Sequence, residues 1–124
     1  MKMILLVEDS KFLRLASERA LKKAGYAVVS TDDGQKALQL AQESLPDAIL
    51  LDMLLPNIGG DQVLRLLKND PITAQIPVVV LSSLSQRNEG RLKQDGAAAY
   101  FEKSKLNLES DCSALLKVVD AAMN

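Results

Sequence analysis

Histidine is absent from the sequence, and cysteine occurs once, as Cys112. A single cysteine excludes an internal disulfide and a multi-cysteine metal site, and the missing histidine removes the commonest zinc ligand and general base. Cys112 lies on an apolar stripe near the end of the chain, which indicates a core position. A metal bound by this chain would therefore be a hard cation held by oxygen atoms.

Excess charge and long apolar runs are also lacking. The chain has 15 Lys and Arg against 16 Asp and Glu, so no bulk charge attracts nucleic acid or an anionic membrane. No apolar run approaches the roughly 20 residues that span a bilayer, and the N-terminus has no signal-peptide pattern. We therefore expect a cytoplasmic protein without membrane association or direct nucleic-acid binding.

The composition that remains is that of an ordinary globular domain. Hydrophobic residues make up 48% of the 124 residues and charged residues 25%, which is enough apolar material for a buried core. The length fits one domain, and no linker, repeat or low-complexity segment divides it. We expect a single domain over residues 1–124.

Five short, largely apolar runs bounded by turn or polar residues indicate buried strands. They are predicted at Met3–Val7, Tyr26–Ser30, Ala48–Asp52, Val78–Leu81 and Ala97–Phe101.

Helical spacing of apolar residues fills the intervals between these runs, apart from a loop before the fourth strand. The predicted helices begin at an N-cap Ser10, after the turn Asp32–Gly34, at a cap Asp61, at Ser85 and near Leu108. The fourth helix, ending at Gln94, is polar and contains a glycine that costs about 1 kcal/mol relative to alanine, so we expect it to be the most mobile. Strands alternating with helices predict a doubly wound, three-layer α/β sandwich around a parallel sheet.

Polar side chains follow four of the predicted strands. Glu8 and Asp9 come after the first strand, Asp52 ends the third, Ser82 follows the fourth and Lys103 the fifth. If the strand order is 2-1-3-4-5, as in flavodoxin-like folds, the first and third strands are neighbours and three carboxylates converge at one edge of the sheet. Because packed carboxylates repel each other, a divalent cation such as Mg²⁺ would resolve the conflict.

Each of these residues also has a purely structural interpretation. Glu8 and Asp9 could cap the first helix, Ser82 could be a turn residue, and Lys103 could be a solvated charge. Tyr100 could be a half-buried strand aromatic. The functional interpretation is favoured because every polar group that a phosphoryl site needs lies at a strand end on one edge.

Four segments carry a resemblance to a known family over essentially the whole chain. They are Leu-Val-Glu-Asp-Ser at 6–10, the stretch from Pro46 to Gly60, Pro-Val-Val-Val-Leu-Ser-Ser at 77–83 and Ala-Tyr-Phe-Glu-Lys at 99–103. In this order and spacing the chain resembles the receiver domain of bacterial two-component response regulators, the chemotaxis regulator being the simplest relative. The resemblance implies a five-stranded parallel sheet in the order 2-1-3-4-5.

The resemblance also implies a phosphoacceptor and a metal site. Asp52 would take a phosphoryl group from the phosphohistidine of a histidine kinase or phosphotransfer protein, or from a small phosphodonor. Glu8 and Asp9 match the acidic pair that holds Mg²⁺, with Asp52 and the backbone carbonyl of Leu54 as further ligands. No turnover of a separate substrate is expected.

The switch of the family is implied in the same way. Lys103 would contact the phosphoryl oxygens, Ser82 would donate its hydroxyl to one of them, and Tyr100 matches the switch aromatic. A phosphoryl group at Asp52 would draw Ser82 toward it and let Tyr100 move inward, and this changes the surface offered to a downstream protein target or output domain.

The chain departs from the family pattern at three positions. Ser104 replaces the proline that usually follows the lysine in a cis peptide, and a cis bond to serine would cost about 3 kcal/mol. Leu54 and Leu84 occupy positions where family members tune hydrolysis, and neither side chain can orient water. We therefore expect a slowly hydrolysing phosphoryl-aspartate.

Three other functions are alternatives to this one. A haloacid-type phosphohydrolase needs a second acid two residues after the nucleophile, where this chain has Leu54. A flavodoxin-like cofactor binder needs a phosphate-binding loop after the first strand, where Glu8 and Asp9 would repel phosphate. A phosphorylation-independent interaction module stays open because of Ser104. The C-terminal pattern favours a stand-alone receiver or one with an output other than DNA binding.

Overall fold

The computed structural model describes residues 1–82, 94–103 and 113–123. The strands in these residues are Met3–Val7 (β1), Ala27–Thr31 (β2), Ala48–Asp52 (β3), Val78–Ser82 (β4) and Ala99–Glu102 (β5). They form one parallel sheet in the order β2-β1-β3-β4-β5. The predicted sheet and its strand order are confirmed.

The helices in the described residues are Lys11–Lys23 (α1), Gly34–Ser44 (α2), Gly60–Asn69 (α3) and Ser113–Met123 (α4). None of them is long and apolar enough to cross a bilayer. Residues 83–93 and 104–112 lie outside the described part of the chain. The predictions made for the helix after Ser85, for the start of the last helix near Leu108, for a core position of Cys112 and for Leu84 therefore stay predictions.

Two of the predicted helix starts are confirmed and one is wrong. Ser10 caps α1 by accepting a hydrogen bond from the Leu13 amide, and Asp33 caps α2. Asp61 does not cap α3, because that helix already begins at Gly60, whose amide donates to the Met53 carbonyl at 2.9 Å. Asp61 lies in the first turn instead, where its negative charge interacts favourably with the helix dipole.

Two strands begin later than predicted, because a turn at a glycine precedes each of them. Gly25 has a φ of 100° and Gly96 a φ of 108°, a region that favours glycine. After the first of these turns the Tyr26 amide donates to Leu21, so it closes α1 and β2 starts one residue later. After the second, pairing with β4 starts with Ala99 opposite Val79, two residues beyond the predicted start.

The sheet is covered on both faces, as the uninterrupted apolar strands predict. One face packs against α2 and α3, and the other against α1 and α4. The first core contains side chains from three strands and these two helices: Leu5, Val7, Ala37, Ala41, Ile49, Leu51, Val63, Leu64, Leu67, Val78 and Val80. The second contains the alternating strand positions and their helices: Ile4, Leu6, Ala20, Leu21, Leu50, Val79, Leu81, Phe101, Leu115 and Val119.

This topology determines where polar side chains can converge. β1 and β3 are neighbours although β2 lies between them in sequence. The helix after β1 packs on one face and the helix after β3 on the other. The connections leaving the two strands therefore diverge and open a crevice at their carboxyl ends.

Gly60 allows α3 to start against the end of β3. A Cβ atom at this position would clash with the Asp52 carbonyl oxygen and lie 2.6 Å from the Met53 Cα. These are backbone atoms, so the helix start would have to move. We predict that Gly60→Ala lowers the free energy of unfolding by about 2–3 kcal/mol in urea denaturation, as overpacking does.

The adjacent glycine supplies the matched control. A Cβ at Gly59 would come too close only to the flexible Asp61 carboxylate, at 2.8 Å, while its 3.9 Å distance to the Met53 carbonyl oxygen is an ordinary contact. Serine is also a good N-cap, the position that Gly59 occupies. Gly59→Ser should therefore change the free energy of unfolding by less than about 1 kcal/mol. Equal losses in the two variants would contradict the role given to the backbone contact at Gly60.

Candidate functional site

An ion-pair cluster lies at the carboxyl edge of the sheet. The Lys103 Nζ atom is 2.8 Å from Glu8 Oε1 and 2.9 Å from Asp52 Oδ2. It also donates to Glu8 Oε2 at 3.1 Å. One ammonium group therefore holds two carboxylates together. The structure places these three predicted site residues in direct contact.

Each member of this cluster is delivered by the end of a different strand. Glu8 directly follows β1, and its amide donates to the Thr31 carbonyl of β2 at 3.0 Å. Asp52 is the last residue of β3 and pairs with Leu81 of β4. Lys103 directly follows β5. The parallel register brings all three to the same edge although 95 residues separate the first from the last.

With both carboxylates ionised, the cluster carries a net negative charge in a buried position. The side chains of Glu8 and Asp52 are 2% and 4% exposed, and that of Lys103 is 16% exposed. Burying charged groups is costly unless they are paired, and one ammonium cannot neutralise two carboxylates. The site is therefore short of positive charge.

The pKa values of the cluster reflect this shortage. Burial is the main cause that raises the pKa of Glu8, and the neighbouring Asp52 carboxylate adds to it. Hydrogen bonds from Lys103 and from the Ser10 amide oppose this rise without cancelling it. Burial lowers the pKa of Lys103, but its hydrogen bonds to the two carboxylates outweigh that effect and raise it. The lysine is therefore held as a cation.

The two oxygens of Asp52 have different surroundings. Oδ2 contacts Lys103, whereas Oδ1 accepts a longer hydrogen bond of 3.3 Å from the Leu54 amide. The Leu54 side chain points away from the core and is 62% exposed. The predicted role of its backbone carbonyl as a metal ligand stays a prediction.

Two contacts of the turn after β1 were not indicated by the sequence patterns. The Ser10 amide donates to Glu8 Oε2 at 3.0 Å, and the Arg14 Nη1 atom donates to the Glu8 backbone carbonyl at 3.0 Å. Apolar periodicity does not report such contacts, because Ser10 and Arg14 lie on the polar part of the helix start. These contacts fix Glu8 through both its side chain and its backbone.

Asp9 lies in the same turn, but its side chain is exposed. Among the residues that the structure describes, no three acidic side chains converge closely enough to hold a metal ion. The donor set nevertheless fits a hard cation: its available groups are carboxylate oxygens, and their charge exceeds that of the one lysine. Asp9 would have to turn toward the two buried carboxylates to complete it.

Ser82 and Tyr100 lie next to this cluster in the sheet. Ser82 is buried at the last position of β4, one residue beyond the partner of Asp52. Tyr100 is half-buried in β5, opposite Val80, and packs against the core on the α2 and α3 side. Ser82 and Tyr100 thus lie on the two strands between Asp52 and the edge of the sheet. Their switch roles stay predictions.

This geometry can hold a nucleophile and bind negatively charged oxygens. Asp52 needs no base for activation, since a carboxylate is already a nucleophile at neutral pH. The Lys103 ammonium lies next to it and can attract an incoming anionic group. The arrangement matches the requirements of phosphoryl transfer, in which positioning and charge stabilisation dominate.

Curated relatives are similar in sequence over most of the chain. A gliding motility regulatory protein of Myxococcus xanthus is 42% identical over 108 residues, which are 86% of this chain but only 14% of that protein. The polar-differentiation response regulator DivK of Brucella anthropi is 34% identical over 103 residues, which are 82% of this chain and 84% of that protein.

Solved structures share the fold. The chemotaxis response regulator CheY4 of Vibrio cholerae matches with a TM-score of 0.84 and 28% identity, over 95% of this chain and 98% of that one. A receiver domain from a sensor histidine kinase of Pseudomonas aeruginosa, solved with a magnesium ion coordinated in its active-site cleft, matches with a TM-score of 0.86 and 25% identity. That match covers 98% of this chain and 97% of the other.

A family model agrees with both sets of relatives. The model of the response regulator receiver domain matches residues 4–110, which include all of the predicted site residues. The chain therefore belongs to the response regulator receiver domain family of two-component systems.

Proposed function

We propose that this receiver domain is a phosphoacceptor and that Asp52 receives the phosphoryl group from a histidine kinase or phosphotransfer protein. The observation that carries the proposal is the buried Asp52 carboxylate at the end of a central strand, with Oδ2 held 2.9 Å from the Lys103 ammonium. Histidine kinases and downstream proteins are the partners of receiver domains as a class. The cytoplasm is the expected compartment.

Asp52 Oδ1 is the oxygen better placed to attack. Oδ2 is held by Lys103 at 2.9 Å, whereas Oδ1 accepts the longer, 3.3 Å hydrogen bond from the Leu54 amide. In the transfer, an Asp52 oxygen forms a bond to phosphorus while the bond from phosphorus to the donor breaks, and the electron pair leaves with the donor. Lys103 neutralises part of the charge on the phosphoryl oxygens. The chain thus assists its own modification and turns over no separate substrate.

Glu8, Asp9 and Asp52, with the Leu54 carbonyl, would hold Mg²⁺, whose charge when bound opposes that of the phosphoryl oxygens. The deficit of positive charge around the two buried carboxylates supports this assignment. The magnesium ion in the cleft of the similar Pseudomonas aeruginosa receiver domain supports it as well.

The proposed output is a change of surface. A phosphoryl group adds negative charge and acceptor oxygens at Asp52. Ser82, buried at the end of the adjacent strand, would donate its hydroxyl to one of these oxygens. Tyr100 on the next strand would then shift inward, and this presents a new surface to a downstream protein target or output domain.

Removal of the Asp52 carboxylate tests the acceptor directly. We predict that the wild-type chain gains one phosphoryl group from acetyl phosphate in the presence of Mg²⁺ and that Asp52→Asn gains none, as measured by intact-protein mass spectrometry. Asp61→Asn, an aspartate of α3 that is not part of the cluster, is the matched control and should be modified like the wild type. A wild-type chain that gains no phosphoryl group would instead favour the phosphorylation-independent interaction module.

Glu8→Gln separates the stability of the site from its function. The pKa of Glu8 is raised in the folded chain, so its contribution to folding is complete below the ordinary glutamate pKa and is lost as pH rises through the raised value. In EDTA we therefore expect Glu8→Gln to raise the melting temperature by a few degrees at neutral pH and to have little effect at acidic pH. The stabilisation that Mg²⁺ gives the wild type should be reduced in this variant.

The exposed Glu43 of α2 supplies the control for this experiment. Glu43→Gln should change the melting temperature equally little at both pH values and leave the effect of Mg²⁺ intact. A Glu8→Gln variant that is less stable than the wild type in EDTA at neutral pH would contradict the charge deficit.

Leu54 is expected to make the phosphoryl-aspartate long-lived. Its aliphatic side chain is 62% exposed beside the acceptor and cannot orient a water molecule for attack. We predict that Leu54→Asn shortens the half-life of the phosphorylated chain several-fold, as measured by the decay of the phosphoprotein on a Phos-tag gel. Leu66→Asn, at an exposed leucine of α3, should leave the half-life unchanged. Equal half-lives in the wild type and Leu54→Asn would overturn the prediction.

A further inference from the structure

Arg14 contacts the turn that carries two of the proposed metal ligands. Its guanidinium Nη1 reaches back from α1 to the Glu8 backbone carbonyl at 3.0 Å. Its own amide donates to the Ser10 carbonyl at 2.8 Å, so the residue belongs to the first turn of the helix. Arg14 thus joins the start of α1 to the end of β1 through a contact that spans six residues.

The hydrogen bond from Arg14 takes the place of the next hydrogen bond in the ladder between β1 and β2. The Glu8 amide still continues the parallel ladder, because it donates to the Thr31 carbonyl at 3.0 Å. In a continued ladder, the Asp33 amide would donate to the Glu8 carbonyl. That amide instead donates to the Thr31 hydroxyl at 3.3 Å, where the chain turns into α2. Among the residues that the structure describes, Arg14 therefore supplies the donor that this carbonyl would otherwise lack.

The orientation of this carbonyl sets the direction in which the next residue leaves the strand. The peptide plane that contains the Glu8 carbonyl also contains the Asp9 amide. Within the described part of the chain, the Asp9 side chain makes no hydrogen bond or ion pair of its own, so its position follows from the backbone that carries it. Glu8 is held in addition by the Ser10 amide and by Lys103.

We propose that Arg14 is a positioning residue for divalent-cation binding, which it supports by fixing the peptide between Glu8 and Asp9. The inference rests on the proposed function, since it concerns the same metal site. Arg14 contacts neither the phosphoacceptor nor the ammonium of Lys103 in this arrangement. It acts through the backbone, and its loss releases the turn without removing a ligand.

The charge of Arg14 works against this effect, and the two contributions can be separated. A guanidinium near the site repels Mg²⁺, so deletion of its charge alone would tighten binding. Deletion of the hydrogen bond would weaken binding by loosening the Asp9 carboxylate. Arg14→Met removes both, whereas Arg14→Lys keeps the charge and a side-chain donor. The sign of the change in affinity therefore identifies the dominant contribution.

The test is a titration of the whole chain with MgCl₂, followed by calorimetry and by the NMR shifts of the Asp9 and Ser10 amides. We expect Arg14→Met to raise the Mg²⁺ dissociation constant about tenfold, which is the loss of roughly one charged hydrogen bond. Arg14→Lys should recover most of the affinity. Arg19→Met removes the same charge from an exposed position of α1 and should change the dissociation constant less than twofold.

The possible results distinguish this inference from the proposed function. An unchanged or lower dissociation constant in Arg14→Met, or an equal loss in Arg19→Met, overturns the positioning role while the metal site of the wild type stands. A wild-type chain that does not bind Mg²⁺ overturns both. If Arg14→Met does not fold, Arg14→Gln takes its place, because its shorter side chain does not reach the carbonyl and the same loss of affinity is expected.

Discussion

The Lys103 ammonium is the interaction on which the site depends. Two carboxylates lie at the end of the sheet with almost no solvent exposure, and the lysine contacts an oxygen of each within 2.9 Å. Without this cation, Glu8 and Asp52 would repel each other in a position where water cannot screen them. With it, the repulsion between the two carboxylates is reduced but not removed. A domain that only had to fold would have no need for the second buried carboxylate.

The sheet topology creates this cluster by placing β1 beside β3. Their following helices pack on opposite faces, so the connections that leave the two strands diverge. The apolar strands anchor the carboxylates by burying the residues that precede them. Close packing extends to Gly60, which lets α3 begin directly behind the Asp52 backbone. The position of Asp52, the proposed acceptor, is therefore determined by the core rather than by a flexible loop.

Much of this arrangement could be predicted from the sequence because it depends on periodicity. The apolar runs and the polar residues at their ends were sufficient to bring Glu8, Asp52 and Lys103 to one edge. The wrong predictions concern positions where a local contact outweighs the sequence pattern. Asp61 has the residue type of a helix cap, but α3 already begins at Gly60, whose amide donates to the Met53 carbonyl. The contact of Arg14 with a backbone carbonyl could not be predicted from the pattern, since a polar helix position can carry an arginine with or without such a contact.

The raised pKa of Glu8 shows how folding and function oppose each other at this edge. A protonated Glu8 would relieve the repulsion, whereas the proposed metal ligand has to be ionised, so the two requirements conflict. A bound divalent cation would offset the repulsion between the carboxylates, so its binding would be coupled to the stability of the turn after β1. Hydrogen bonds that involve Thr31, Ser10 and Arg14 hold the same turn in place. Such bracing is what a site requires if it is to hold a buried carboxylate in place before the cation arrives.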